Sequence, residues 1–241
     1  MSQTSLVHYL PILTTLIAAY FSVVIFRRYL SRCTENHLLW WSAGVCVYGL
    51  GTLAESWITL FGWNPVIFKF WYIVGALLGG APLAQGTVWL LLRRSTARRL
   101  TIALVSVVMV AATCVVLSPI NYAAVDPVLP SGRALGWQWV RAFSPFINTY
   151  AVVFLIGGAI LSAWRFRRKA AQEEGGAGIA RDRFVGNVFI ALGAILPGIG
   201  GGASRAGYTE VLYATELVGI TLIWVGYWFN VRKRPATAEV R

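Results

Sequence analysis

Residues 93–119 read RRSTARRLTIALVSVVMVAATCVVLSP. Arg93, Arg94, Arg98 and Arg99 crowd its start, and from Leu100 to Leu117 no charged residue occurs. A bilayer core about 30 Å thick needs roughly 20 mostly apolar helical residues to cross it. A charge-free run of this length, fenced on one side by arginines and closed by Pro119, reads as a transmembrane helix whose basic end stays cytoplasmic.

The same pattern recurs in both directions. Stretches at about 7–26, 38–61, 66–92, 100–118, 145–164, 184–204 and 209–230 are long and apolar enough to span. Seventeen of the 21 basic residues fall on one side of such a bundle: Arg27, Arg28 and Arg32; Arg93, Arg94, Arg98 and Arg99; Arg165, Arg167, Arg168, Lys169, Arg181 and Arg183; Arg232, Lys233, Arg234 and Arg241. Only Lys69, Arg133, Arg141 and Arg205 fall on the other. Adding or removing one helix would scatter these clusters. The expectation is an all-α membrane protein, a seven-transmembrane-helix bundle over 1–231 with its N-terminus outside and its C-terminus cytoplasmic, and a short basic tail at 232–241.

Composition supports this. The chain is 57% hydrophobic and 12% charged, with mean hydropathy +0.65, whereas a soluble domain carries about 25% charged residues. The net charge of +12 belongs to the topology and to lipid, so no nucleic acid partner is expected. The N-terminal MSQTSLVHYL has no basic region or cleavage site of a signal peptide, so the first stretch is read as a retained helix. Cys33, Cys46 and Cys114 form no CxxC motif and no disulfide framework. The longest outer connection, about 119–144, holds Trp137 and Trp139 and reads as an interfacial helix or lid. Ala170–Ala180 reads as a flexible inner linker. Tryptophans such as Trp71, Trp89, Trp164 and Trp228 read as interfacial anchors.

Ionisable residues inside a bilayer are costly and mark function by default. Glu55 lies roughly 8 Å below the outer end of the second stretch, and Glu216 lies at a comparable depth on the seventh. Tyr48, Thr52 and Glu55 share one helical face, as do Thr209, Tyr213 and Glu216. These two stripes are expected to line an outward-opening cavity, with Glu55, Glu216, Tyr48, Thr52, Lys69 and Tyr213 as ligand-binding or proton-sensitive residues. Carboxyls that met there would answer to pH. The competing reading is structural: each glutamate bonds a neighbouring helix, pairs with Lys69, Arg141 or Arg205, or stays protonated.

Gln85, Asn148 and Asn187 are expected to hydrogen-bond between helices. Pro82 and Pro197 should kink or open the third and sixth stretches. Gly75-xxx-Gly79 and Gly198-xxx-Gly202 suit close helix packing. The Gly-rich end of the sixth stretch is either spanning or re-entrant.

Several chemistries are excluded. His8 and His37 fall on opposite sides, which rules out a three-histidine zinc centre or a Ser–His protease. The seventh stretch has no lysine for a retinal Schiff base, and no nucleotide-binding glycine motif occurs. No catalytic residues, metal or cofactor are expected, and the chain reads as a non-enzyme. Interruptions in the third and sixth stretches also suit a transporter, but no internal repeat is visible.

The segment Leu39-Trp-Trp-Ser-Ala-Gly, with Leu53-Ala-Glu55, followed by Phe70-Trp-Tyr-Ile-Val-Gly75 and Ala81-Pro82, resembles the seven-helix N-terminal sensor region of some bacterial histidine kinases. The resemblance is specific over about 38–92. It implies sensing of an outside or membrane-borne signal in a bacterial inner membrane. No kinase or cyclase domain follows residue 231, so it further implies output through a separate cytoplasmic signalling protein. The expected partners are thus the lipid bilayer, that protein, and a second copy in a homo-oligomer. The alternative is a proton- or ion-coupled transporter of a small solute or lipid.

Overall fold

A computed structural model describes residues 6–126, 130–172 and 177–232. Among these the chain is helical, with no strand beyond one isolated bridge between Ile120 and Leu135. A 3-10 turn, Leu6–Tyr9, leads into α1 (Leu10–Arg32), and α2 (Asn36–Phe61) follows after a three-residue link. The side chain of Asn64 accepts from the backbone N–H groups of Val66 and Ile67 at 2.8 and 3.3 Å, an N-cap that starts α3 (Pro65–Trp71). The chain then passes through a π-helical segment, Tyr72–Leu78, to α4 (Ala81–Leu91) and α5 (Arg94–Leu117). After the long connection come α6 (Phe143–Ala151), a second π segment (Val152–Ile156), α7 (Gly157–Gln172), α8 (Ala177–Arg205) and α9 (Thr209–Val231).

Among the described residues seven helices are long and apolar enough to cross a membrane, three of these being Leu6–Arg32, Arg94–Leu117 and the composite Gln138–Ala171. The chain is therefore read as a multi-pass membrane protein. Large apolar side chains such as Leu16, Ile102, Met109, Val110, Val152 and Ile160 point away from the bundle. That exterior would be prone to aggregation in water and is suited to lipid. The core is built instead from Phe21, Ile25, Leu38, Val45 and Leu83 at the α1–α2–α4 junction, continued by Ile220 and Tyr227 of α9.

Helix ends lie farther into the basic clusters than the apolar stretches do. α1 continues through Arg27, Arg28 and Arg32, α5 begins at Arg94, and α7 carries Arg165 to Lys169. Hydropathy marks where apolar surface ends. Backbone hydrogen bonding continues the helix past that point, and arginine stems lie along it with their heads in water. Of the segment read as a linker, Ala170–Ala180, the described residues are helical, in α7 to Gln172 and in α8 from Ala177, and residues 173–176 lie outside the described residues. The tail from Lys233 and the side chains of Arg205 and Thr209 lie outside the described residues.

The two proline interruptions differ. Before Pro82 the helix is open: Gly79 has φ +45°, and Pro82 sits in the first turn of α4, where its missing N–H costs nothing. Pro197, by contrast, lies inside α8, which continues through the Gly-rich run to Arg205. That end is a helix and makes no re-entrant turn.

The glycines that pack α8 are not those of the Gly198-xxx-Gly202 pair, which meet open space. They are Gly186, Gly193 and Gly200, spaced two turns apart and facing α9. A Cβ on Gly193 would stand 2.6 Å from the carbonyl oxygen of Gly219, and one on Gly186 would stand 2.6 Å from that of Gly226. At the end of this pair, Arg232 donates through Nε and Nη2 to both carboxylate oxygens of Asp182.

The connection between α5 and α6 is a cap of short 3-10 turns, Tyr122–Ala124, Gly132–Ala134 and Gln138–Ala142, with no longer helix among its described residues. Ala134, Leu135 and Val140 are buried in it against Phe68, Tyr72 and Val115. Trp137 and Trp139 stack with ring centroids 6.1 Å apart.

Candidate functional site: a buried carboxyl pair

Glu55 and Glu216 meet. The first sits on α2 and the second on α9, and their side chains interact directly. Glu55 is 3% exposed, and the Oε2 of each carboxyl is buried without a hydrogen-bond partner. Buried polar oxygens are almost always paired, so two orphans on facing carboxyls mark a site with unused capacity for a proton or a donor.

The surroundings are aromatic. The indole N–H of Trp71 donates to Glu55 Oε1 at 2.9 Å. Trp71 ends α3 where the π segment begins, and its ring passes 3.5 Å from the position a Cβ on Gly75 would take. Gly75 Cα is in turn 3.4 Å from the Cβ position of Gly51. Small residues at 51 and 75 thus bring the third stretch close enough to α2 for the indole to reach the carboxylate. Such π-helical insertions occur frequently at functional sites.

Tyr48 donates its hydroxyl to the backbone carbonyl of Glu216 at 2.9 Å, tying α2 to α9 about two turns below Glu55. Tyr213 is 1% exposed, lies within electrostatic reach of both carboxyls and of Asp126, and meets His8 edge-on at 5.9 Å. Thr52 is buried, and its hydroxyl meets that of Thr15 on α1 at 2.9 Å. It supports the α1–α2 contact one turn from Glu55.

Lys69 lies elsewhere. Its ammonium donates to the carbonyl of Val116 at the end of α5, 2.7 Å away, and Arg141 bonds Gln138 at 2.7 Å. Both cations serve the cap, and neither is placed on the carboxyls.

Trp71 is the residue that sequence reading assigned elsewhere, as an interfacial anchor. Its signal was the Trp71-xxx-Gly75 spacing just before Gly79-Gly80, an aromatic followed one turn later by the space it needs. Thr15 was also missed, because a threonine in an apolar helix commonly bonds its own turn, as Thr15 also does to Pro11 at 2.7 Å.

The neutral polar residues do bond between elements. Gln85 donates to Thr101 Oγ1 at 2.7 Å and accepts from the Tyr150 hydroxyl. Asn148 donates to Ala76 at 3.2 Å, and Asn187 to Asn230 at 3.4 Å. All are satisfied and hold the bundle in register. Among the described residues no group of three histidine, cysteine or acidic side chains gathers as a metal site. Compared with protein-family models, curated proteins and solved structures, the chain matches none.

Proposed function

We propose that this chain is a receptor-like sensor of a bacterial inner membrane, N-terminus outside, whose responsive element is the Glu55–Glu216 pair. The carrying observation is the pair itself: two carboxyls from different helices, in contact, each with a buried oxygen that no third group among the described residues satisfies. Like charges in contact in a water-poor setting strongly oppose double ionisation, so the pair favours sharing one proton. Losing that proton, or gaining a small cationic or hydrogen-bond-donating ligand in its place, changes the force between α2 and α9.

The output follows from connectivity. α9 leads directly to Arg232 and the Asp182 clasp at the basic end, the side assigned to the cytoplasm by its arginines. A shift of α9 relative to α2 would be felt there by a separate signalling protein. Spin labels on α2 and α9, with the chain in lipid nanodiscs, test this. The inter-helix distance should change with pH in the native chain and stop changing in Glu55→Gln and Glu216→Gln. An unchanged response in both variants removes the pair from the mechanism.

A second reading, a proton-coupled transporter using the same carboxyls, draws support from the opened helix at Gly79–Gly80. Proteoliposomes loaded with a pH-sensitive dye separate the two. Proton uptake down an imposed gradient, abolished by Glu216→Gln, would replace the sensor with the transporter.

A further inference from the structure

A cavity of about 350 Å³ runs between α4 and the second π segment with α7, distant from the carboxyl pair. One wall is Thr87, Val88 and Leu91, and the other includes Val153, Phe154 and Leu161. Gly157 and Gly158 also line it, and a Cβ on the buried Gly158 would stand 2.5 Å from Thr87 Cγ2 and 3.2 Å from Leu91 Cδ1 on the α4 wall. Its volume is within the usual range for small-molecule sites, about 300–1,000 Å³. The wall at Val153 and Phe154 is π-helical, a geometry that shifts side chains out of ordinary register.

The lining is mostly apolar, with Thr87 its one polar uncharged side chain and Arg165 its one charge. Arg165 is exposed and has no ion pair or hydrogen bond among the described residues. Leu92 also lines the cavity, and Arg93 and Arg94 follow Leu92 in sequence. An apolar slot capped by an unpaired guanidinium on the basic side of a membrane bundle has the polarity of one molecule class: an acyl chain below and an anionic phosphate above. Guanidinium forks match phosphate oxygens in geometry as well as charge.

We infer that the α4–α7 slot binds one acyl chain of an anionic phospholipid, with its phosphate held by Arg165. The inference rests on the membrane placement proposed above and is independent of the carboxyl pair. Occupation would also touch the core. Phe154, in the slot wall, packs on Tyr150 with ring centroids 4.7 Å apart, and Tyr150 donates to the buried Gln85.

Native mass spectrometry of the full chain, released from detergent containing equal phosphatidylglycerol and phosphatidylcholine with matched acyl chains, tests the assignment. The native protein should retain one phosphatidylglycerol in preference to phosphatidylcholine. Arg165→Gln should cut that preference about fivefold, the effect of one basic residue near an anionic headgroup. Gly158→Leu, whose side chain would enter against Thr87 and Leu91, should lose the bound lipid altogether, while Arg167→Gln, outside the slot, should behave as native. Arg165→Gln lies on an exposed side chain and keeps the test informative if Gly158→Leu fails to fold. Retention unchanged in Arg165→Gln, or no preference in the native chain, overturns the proposal. Displacement of the lipid by glycerol phosphate alone would also overturn it, because the acyl chain would then contribute nothing. Extraction of the chain from membranes by alkaline carbonate would instead overturn the membrane placement, leaving the two failures distinguishable.

Discussion

Trp71 controls how much of the carboxyl pair is satisfied. Replacing it with Phe keeps an aromatic ring but removes the N–H that donates to Glu55 Oε1, leaving that buried oxygen without its indole partner. The expected loss is about 1–3 kcal/mol, read as a lower thermal midpoint in detergent, and Glu55→Gln on the same background should restore part of it by bringing its own N–H donors. At the opposite end, Glu35 lies outside the spans and takes a 2.7 Å hydrogen bond from Arg32. That bond, reinforced by the nearby positive charge, holds its carboxyl below the ordinary 4.5. A depressed value in the folded state means the contribution is fully present above 4.5 and disappears as pH falls through the folded value. The pair is solvent-exposed, so its size is at most about 0.5 kcal/mol. Arg32→Gln should therefore lower the thermal midpoint slightly at pH 6 and leave it equal to native at pH 3.

The α8–α9 pair depends on backbone contact. Gly193→Ala places a methyl 2.6 Å from the Gly219 carbonyl and 2.9 Å from Ile223 Cγ1, and since the obstacle is partly backbone it cannot rotate away. Overpacking of this kind costs about 1–3 kcal/mol. Gly198→Ala, five residues along the same helix, meets nothing within 4 Å and should be neutral or mildly stabilising, because alanine is the better helix former. Comparing their thermal midpoints checks the helix face. Equal effects would mean that α8 is rotated from the arrangement described. The π segment at Tyr72–Leu78 has a different role, presenting Trp71 and Gly75 to α2 and ending at the Gly79 break.

For the whole molecule, the distribution of charge is the ground for the proposed orientation, and one cysteine can test it. Cys33 is exposed in the link between α1 and α2 beside Arg32, whereas Cys46 and Cys114 sit within apolar helices. A membrane-impermeant maleimide added to intact cells should leave Cys33 unlabelled, and permeabilisation should label it, with Cys33→Ser removing the signal. Labelling without permeabilisation would reverse the proposed topology.

Helix number and the candidate residues Glu55 and Glu216 were legible because both depend on one-dimensional quantities: the length of an apolar run, the placement of arginines, and the cost of a carboxyl inside such a run. The shared depth of the two glutamates followed from rise per residue alone. Their contact did not, since it requires α2 and α9 to be neighbours, a matter of packing between segments about 160 residues apart. The same limit hid the contribution of Trp71 and the bond of Lys69 to the Val116 carbonyl, because a side chain's reach is decided by which helix faces it. Glycine spacing was similarly ambiguous: Gly198-xxx-Gly202 and Gly186…Gly193…Gly200 are both regular, and only the rotation of α8 against α9 chose the second. The sequence by itself determined an apolar, seven-span helical chain with two costly carboxyls. The tertiary structure decided that those carboxyls face each other, because close approach of helices is fixed by small residues on particular faces and not by how many the chain contains.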